Sequence, residues 1–298
     1  MRAPGPLLKA ATLTLLVIIW GTTWAAVRIS LVGFPPFTGV TFRFVIAAVL
    51  LVVFARLMGI PLAAVDGNDR KLRVLHATLS FCASYGVVFW AEQWVPSGLA
   101  SVLFATFPLI VAVMAHFALP DERMTVSVAM GTVLGFVGIA VIFAEDFERL
   151  GGRMVGVASA VMLISPVVAA IASVAIKKWG SRTRPVAFNA VAIIYGAAIM
   201  GVVAAVTERD RSVDFEFWPV AAVLYMGVAG TAITFPLYFW LLKHMQARQV
   251  ALIGYGTPVV AIFLGVVFLN EPMTAHIVIG SALVVIGVAV ASHGRHRS

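Results

Sequence analysis

The sequence has one cysteine, Cys82, and few charged residues. A single cysteine excludes an internal disulfide and a cysteine-ligated metal cluster, and no two histidines or carboxylates have metal-ligand spacing. Charged residues make up 11% of the 298 positions, against about 25% in soluble domains. With 61% hydrophobic residues, a soluble fold could not cover its apolar surface. These deficits exclude a soluble enzyme, a secreted disulfide scaffold and a disordered chain.

Signatures of energised transport are also lacking. The chain contains no Gly-x-x-x-x-Gly-Lys-Ser/Thr phosphate loop, which excludes a primary pump. No long apolar run has a carboxylate at its centre, which disfavours exchange of protons for cationic drugs. The apolar runs 154–176 and 248–269 have no central Lys or Arg, which disfavours phosphorylated substrates. A neutral or zwitterionic solute fits best, and no cofactor or metal is expected.

Long apolar runs are what the sequence has in abundance. A transmembrane helix needs about 20 predominantly apolar residues, and the runs lack the alternation of a barrel strand. We therefore predict an all-α integral membrane protein with ten transmembrane helices. The runs are 8–32, 36–58, 72–94, 98–118, 125–144, 154–176, 185–206, 217–241, 248–269 and 274–291.

The net charge of +8 is distributed as short clusters between the runs. No continuous basic face is formed, so nucleic acid is not an expected partner. The side that both termini share carries 15 Lys and Arg residues and the opposite side carries 4, while Arg28 and Arg43 lie within runs. The positive-inside rule then places both termini in the cytoplasm. We expect the chain in the plasma (cell inner) membrane.

The two halves of the chain resemble each other. Pro108 and Pro258 are 150 positions apart, and the Glu-x-Met-Thr segments 122–125 and 271–274 are 149 apart. At the same offset of 149, two glycines of the fifth run match two of the tenth: Gly131 with Gly280, and Gly138 with Gly287.

This repeat predicts one five-helix unit over 1–148 and a second over 149–298. Because five is odd, the second unit must be inserted upside down relative to the first. Two such units can open alternately to either side and enclose a site near the membrane midplane. A duplicated structural bundle without transport activity is the alternative.

Four local patterns carry a family resemblance: Trp20-Gly21-x-x-Trp24, Pro36 followed by Arg43-Phe44, Pro108 followed by Glu122, and Pro258 followed by Glu271. Together they resemble the EamA family of the drug/metabolite transporter superfamily over essentially the whole chain, and most of all its YddG-type amino-acid exporters. The resemblance implies a ten-helix basket around a central cavity. Helices 1, 3, 4, 6, 8 and 9 would line that cavity, and helices 5 and 10 would be scaffold.

The candidate substrate-binding residues are aromatic and lie within the runs. In the third run, Phe81, Tyr85, Val88 and Glu92 share one face of a regular α-helix. Tyrosine hydroxyls deep in a membrane need a partner or water, whereas any single Phe can equally be helix packing. The full set is Trp20, Trp24, Phe81, Tyr85, Phe104, Phe107, Phe235, Tyr238 and Tyr255.

Five further residues have more than one interpretation. Pro108 and Pro258 are hinges or fixed bends, because each removes a backbone hydrogen bond. Arg43 contacts a substrate carboxylate, clamps carbonyls of neighbouring helices or snorkels to the surface. Glu92 is a proton acceptor or is simply solvated. His76 takes part in proton coupling or is a hydrogen-bonded structural histidine.

These observations predict a secondary transporter that exports neutral or aromatic amino acids and related small metabolites by alternating access. Transport of another neutral solute or a hydrophobic drug is the first alternative. A membrane-embedded scaffold or enzyme is the second. The expected partners are the solute and the lipid bilayer, with the chain as a monomer or weak homodimer.

Overall fold

The computed structural model describes residues 5–119, 124–145, 152–245, 250 and 253–292, except for the side chains of 239, 242, 243, 255 and 292. Within these ranges the chain is helical and has no strand, which confirms the predicted fold class. The helices are α1 Pro6–Ser30, α2 Pro36–Leu57, α3 Gly67–Ala91, α4 Ser97–Ala118, α5 Val126–Phe143, α6 Arg153–Trp179, α7 Pro185–Thr207, α8 (Phe217–Gly227, Val228–Ile233 and Thr234–His244), α9 Ile253–Leu269 and α10 Ala275–Ser292.

The helices are built to cross a membrane. In the described residues, α1 to α8 each contain a stretch long and apolar enough to span, and α9 and α10 contain shorter apolar segments. Large apolar side chains point outward, such as Val133 at 62% and Phe136 at 54% exposed on α5. A surface of this kind is stable against lipid rather than water. The chain is therefore a multi-pass membrane protein.

Helices α5 and α10 show that the halves are inverted. A β-carbon on Gly131 would meet the backbone of Gly287, and one on Gly138 would meet that of Gly280. The residue numbers rise along one helix as they fall along the other, so the two helices are antiparallel. Gly280 is the counterpart of Gly131 at the offset of 149, and Gly287 is the counterpart of Gly138, so the two contacts are equivalent. A two-fold axis in the membrane plane requires this equivalence.

The same symmetry relates the other helix contacts. Helix α1 packs against α8 and α9, and its counterpart α6 packs against α3 and α4. Helix α2 packs against its own counterpart, α7. The first helix of each half is thus held by helices of the other half, and the two units interlock at the centre of the molecule.

Acidic side chains from distant segments cap two helix starts. Glu208 accepts hydrogen bonds from the backbone N–H groups of Phe37 at 2.9 Å and Thr38 at 2.7 Å, at the start of α2. Glu271 accepts from those of Ser97 at 2.7 Å and Gly98 at 3.0 Å, at the start of α4. These amides have no partner within their own helix, and a negative charge there is favourable.

The prediction of regular α-helix through the third and eighth runs was wrong in two places. His76–Ser84 in α3 and Val228–Ile233 in α8 are π-helical. Subtracting 149 from 228–233 gives 79–84, so the two segments lie at equivalent positions of the two halves. A π-helical turn takes extra residues and therefore rotates the side chains that follow it.

Candidate functional site

An aromatic cluster joins the two halves where α1, α3 and α8 meet. The Trp20 ring centroid lies 6.0 Å from that of Phe235 and 5.4 Å from that of Tyr238. Phe235 in turn lies 5.5 Å from Phe81 on α3. The indole N–H of Trp20 donates to the Thr234 hydroxyl at 3.1 Å, which fixes the ring beside the π-helical segment of α8.

A second aromatic group joins α1 to α4. The Trp24 centroid lies 5.6 Å from that of Phe104, and Phe104 stacks on Phe107 at 5.8 Å with an interplanar angle of 8°. These rings follow the Trp20 cluster along α1, one helical turn further on. We refer to these two groups together as the aromatic lining.

The aromatic candidates differ in how deeply their side chains are buried. Phe81 is fully enclosed and belongs to the protein core. The side chain of Tyr255 lies outside the described residues. The remaining candidates keep part of their surface accessible: Trp20, Trp24, Tyr85, Phe104, Phe107, Phe235 and Tyr238.

Arg43 is held against the π-helical segment of α8. Its Nε donates to the Thr231 hydroxyl at 2.9 Å and its Nη2 to the Gly230 carbonyl at 3.2 Å. Its guanidinium carbon lies 4.7 Å above the Tyr85 ring centroid. The side chain is 2% exposed, so the snorkelling interpretation was wrong. These contacts are those of a clamp, and a contact with a substrate carboxylate stays a prediction.

Glu92 directly follows the last residue of α3. It is 0% exposed, so the interpretation that it is simply solvated was wrong. Neither of its carboxyl oxygens has a hydrogen-bond partner within the described ranges. Arg28 of α1 donates to the backbone carbonyl of Glu92 and not to its carboxyl group.

His76 lies at the start of the π-helical segment of α3. Its Nδ1 is 2.9 Å from the Ser80 hydroxyl, and its ring stacks on Phe188 with centroids 5.5 Å apart. These contacts fix the ring in the packing between α3 and α7, and a role in proton coupling stays a prediction. Across residues 5–119, 124–145, 152–245 and 253–292, no three metal-ligating side chains come together.

The two candidate hinge prolines have different surroundings. Helix α4 is interrupted between Phe104 and Phe107, immediately before Pro108. Pro258 lies inside α9. The ring of Pro108 faces Gly254 of α9, where an added β-carbon would lie 3.1 Å from the proline Cγ. The break in α4 therefore lies at the contact between the two halves.

If the break in α4 is a hinge, Pro108→Ala should slow turnover about tenfold, which corresponds to about 1.4 kcal/mol on the limiting step. Alanine restores the backbone donor and stiffens the helix, so the KM should change much less. Solute flux and KM in proteoliposomes measure both effects. Pro36→Ala is the control, because Pro36 is the first residue of α2 and no helical segment runs directly into it, whereas Pro108 follows the break between two segments of α4. Unchanged turnover of Pro108→Ala and Pro258→Ala would contradict a hinge.

Comparison with known proteins gives a consistent result. The model of the EamA-like transporter family matches residues 8–144 and 156–293. The chain is 28% identical over 271 residues to the uncharacterized transporter YoaV of Bacillus subtilis, covering 91% of this chain and 92% of YoaV. It is 29% identical over 288 residues to the uncharacterized inner membrane transporter YedA of Escherichia coli, covering 94% and 89%. A solved crystal structure with 20% identity superposes with a TM-score of 0.71 over 96% of this chain and 97% of that one, which shows the same fold.

Proposed function

Because the chain belongs to the EamA-like transporter family, we propose that it exports neutral or aromatic amino acids and related small metabolites by alternating access. Membership makes the chain a membrane transporter and not an enzyme. Its substrate and its direction of transport are the proposal. The excess of Lys and Arg on the side of the termini, 15 against 4, supports termini in the cytoplasm.

The observation that carries the proposal is the accessible aromatic lining where the two inverted halves meet. Trp20 and Trp24 of α1 contact Phe235 of the second half and Phe104 of the first. In transporters built from inverted repeats, the substrate site lies at this interface near the midplane. Aromatic faces there suit an apolar or aromatic side chain and leave the specificity to a few polar groups.

Polar groups for a zwitterion are close to this lining. The interruption of α4 after Phe104 and the π-helical segment of α8 both interrupt the regular hydrogen-bond ladder. Irregular backbone of this kind occurs at membrane depth where it lines a cavity or is buried in protein. The ammonium and carboxylate of an amino acid would bind beside such backbone groups, in a cavity between the halves.

Efflux from proteoliposomes tests the proposal directly. Vesicles loaded with labelled phenylalanine should release it faster with the protein than without it, and unlabelled aromatic or neutral amino acids should compete. Parallel vesicles loaded with a labelled sugar or a hydrophobic dye serve as the comparison. Flux of those solutes without any amino-acid flux would overturn amino-acid export in favour of the alternative, which the same aromatic surface also fits.

The lining should determine affinity. Trp24→Ala is expected to raise the KM for an aromatic amino acid about fivefold, because one aromatic contact contributes about 0.5–1.5 kcal/mol. Trp218→Ala is the matched control, since Trp218 is 70% exposed at the start of α8 and lies outside the lining. Equal KM values for the two variants would argue against a site beside Trp24.

A further inference from the structure

Glu92 differs from Glu208 and Glu271, two glutamates on the same side of the molecule. Glu208 is also buried, but its two carboxyl oxygens accept the hydrogen bonds at the start of α2. Glu271 does the same at the start of α4. Glu92 is fully buried and both of its carboxyl oxygens lack a partner within the described ranges. Capping a helix start explains the positions of Glu208 and Glu271, but it does not explain that of Glu92.

Among the residues that the structure describes, the charged groups around Glu92 do not neutralise it by contact. Arg28 of α1 binds its backbone carbonyl. Arg43 of α2 directs its donors to α8. Glu271, in the α9–α10 connection, adds a negative charge nearby. Arg153, at the start of α6, is exposed.

An ionised carboxylate buried without a hydrogen bond is strongly unfavourable. The closed packing at this end of α3 therefore favours the protonated carboxyl group, which needs no counter-charge. Once the end opens and water reaches the side chain, the ionised form is favoured at neutral pH, as for any solvated glutamate.

We propose that closing the end of the transporter opposite the termini takes up one proton at Glu92, and that opening this end releases it. The proton comes from the aqueous compartment at that end and binds one carboxylate oxygen. On opening, it returns to water. The proposal rests on the alternating access of the proposed function and adds a ligand to it, the proton. Acidifying the compartment at this end then favours the closed state.

The size of the effect follows from linkage. While the closed state holds one more proton than the open state, the ratio of closed to open protein changes about tenfold per pH unit. A variant with a neutral side chain at position 92 cannot titrate and should remain closed over the same range.

Amide hydrogen exchange of the full-length protein in lipid nanodiscs tests this without a substrate. The probes are the backbone amides of residues 92–95 and 97–99, measured between pH 5 and 8 and corrected for intrinsic exchange. In the wild type their protection should fall as the pH rises, by up to about tenfold per unit. In Glu92→Gln it should stay high at every pH. Glu208→Gln, which removes a carboxylate that is already hydrogen-bonded, should retain the wild-type pH dependence.

Two results would overturn the proposal. One is wild-type protection that does not change with pH, which decides the matter even if the variants fold poorly. The other is an unchanged pH dependence in a folded Glu92→Gln or Glu92→Leu protein. If amino-acid efflux fails while amide protection keeps its pH dependence, only the proposed substrate is refuted. The substrate proposal and the Glu92 proposal can therefore fail separately.

Discussion

Glu271→Ala is expected to lower the free energy of unfolding by about 2–4 kcal/mol. The change leaves the backbone N–H groups of Ser97 and Gly98 without their acceptors, at 2.7 and 3.0 Å in the native chain. Both residues are buried, so water cannot replace the lost carboxylate. Each unsatisfied buried donor costs about 1–3 kcal/mol, and the start of α4 also loses a favourable negative charge.

The measurement is thermal unfolding in detergent, followed by the loss of monodisperse protein. Glu271→Gln keeps one acceptor oxygen, so its melting temperature should lie between those of the wild type and Glu271→Ala. Glu216→Ala is the control, because Glu216 is exposed and makes no side-chain cap at the start of α8. A Glu271→Ala protein as stable as Glu216→Ala would refute the cap.

Gly131→Ala should be destabilising by about 2–3 kcal/mol, because overpacking a tight contact costs this much. The added methyl group would overlap the carbonyl oxygen of Gly287 and lie 2.5 Å from the backbone nitrogen of Ala291. Both are backbone atoms, so a rotamer change cannot relieve the clash and α5 must move away from α10. The melting temperature should fall accordingly.

Gly201→Ala on α7 is the matched transmembrane control. Its added methyl would have only an ordinary contact, 3.5 Å from the Thr41 Cγ2 atom, and alanine has the better helix propensity. We expect no loss of thermal stability for this variant. An equal fall in melting temperature for the two variants would show that the α5–α10 contact is not the cause.

Much of the architecture could be predicted from the sequence because the membrane limits the choices. Only helices or closed barrels span lipid, so continuous apolar runs predict helices. The repeated glycines at an offset of 149 predict the duplication, and the odd number of helices per unit predicts the inversion. The structure shows Gly131 and Gly138 in the resulting antiparallel contact. Arg43 and Glu92 stood out because buried charges are rare within apolar runs.

What could not be predicted depends on residues far apart in the chain. Hydropathy does not distinguish a π-helical turn from an α-helical one, so nothing in the apolar run indicated the segment His76–Ser84. The predicted face of α3 is consequently not a uniform lining, because Phe81, Val88 and Glu92 are all buried and Tyr85 alone is partly accessible. The cap made by Glu271 was missed as well, since its partners lie 174 and 173 positions earlier.

The glycine contacts between α5 and α10 have a consequence for a single five-helix unit. Gly131 against Gly287 and Gly138 against Gly280 are one contact made twice, which defines an isologous interface. The last helix of the unit therefore carries a surface complementary to itself. Two separate copies of the five-helix unit would bury this surface against each other only if they entered the bilayer in opposite orientations. Because the two units are joined in one polypeptide, each first unit is always paired with one second unit in the opposite orientation.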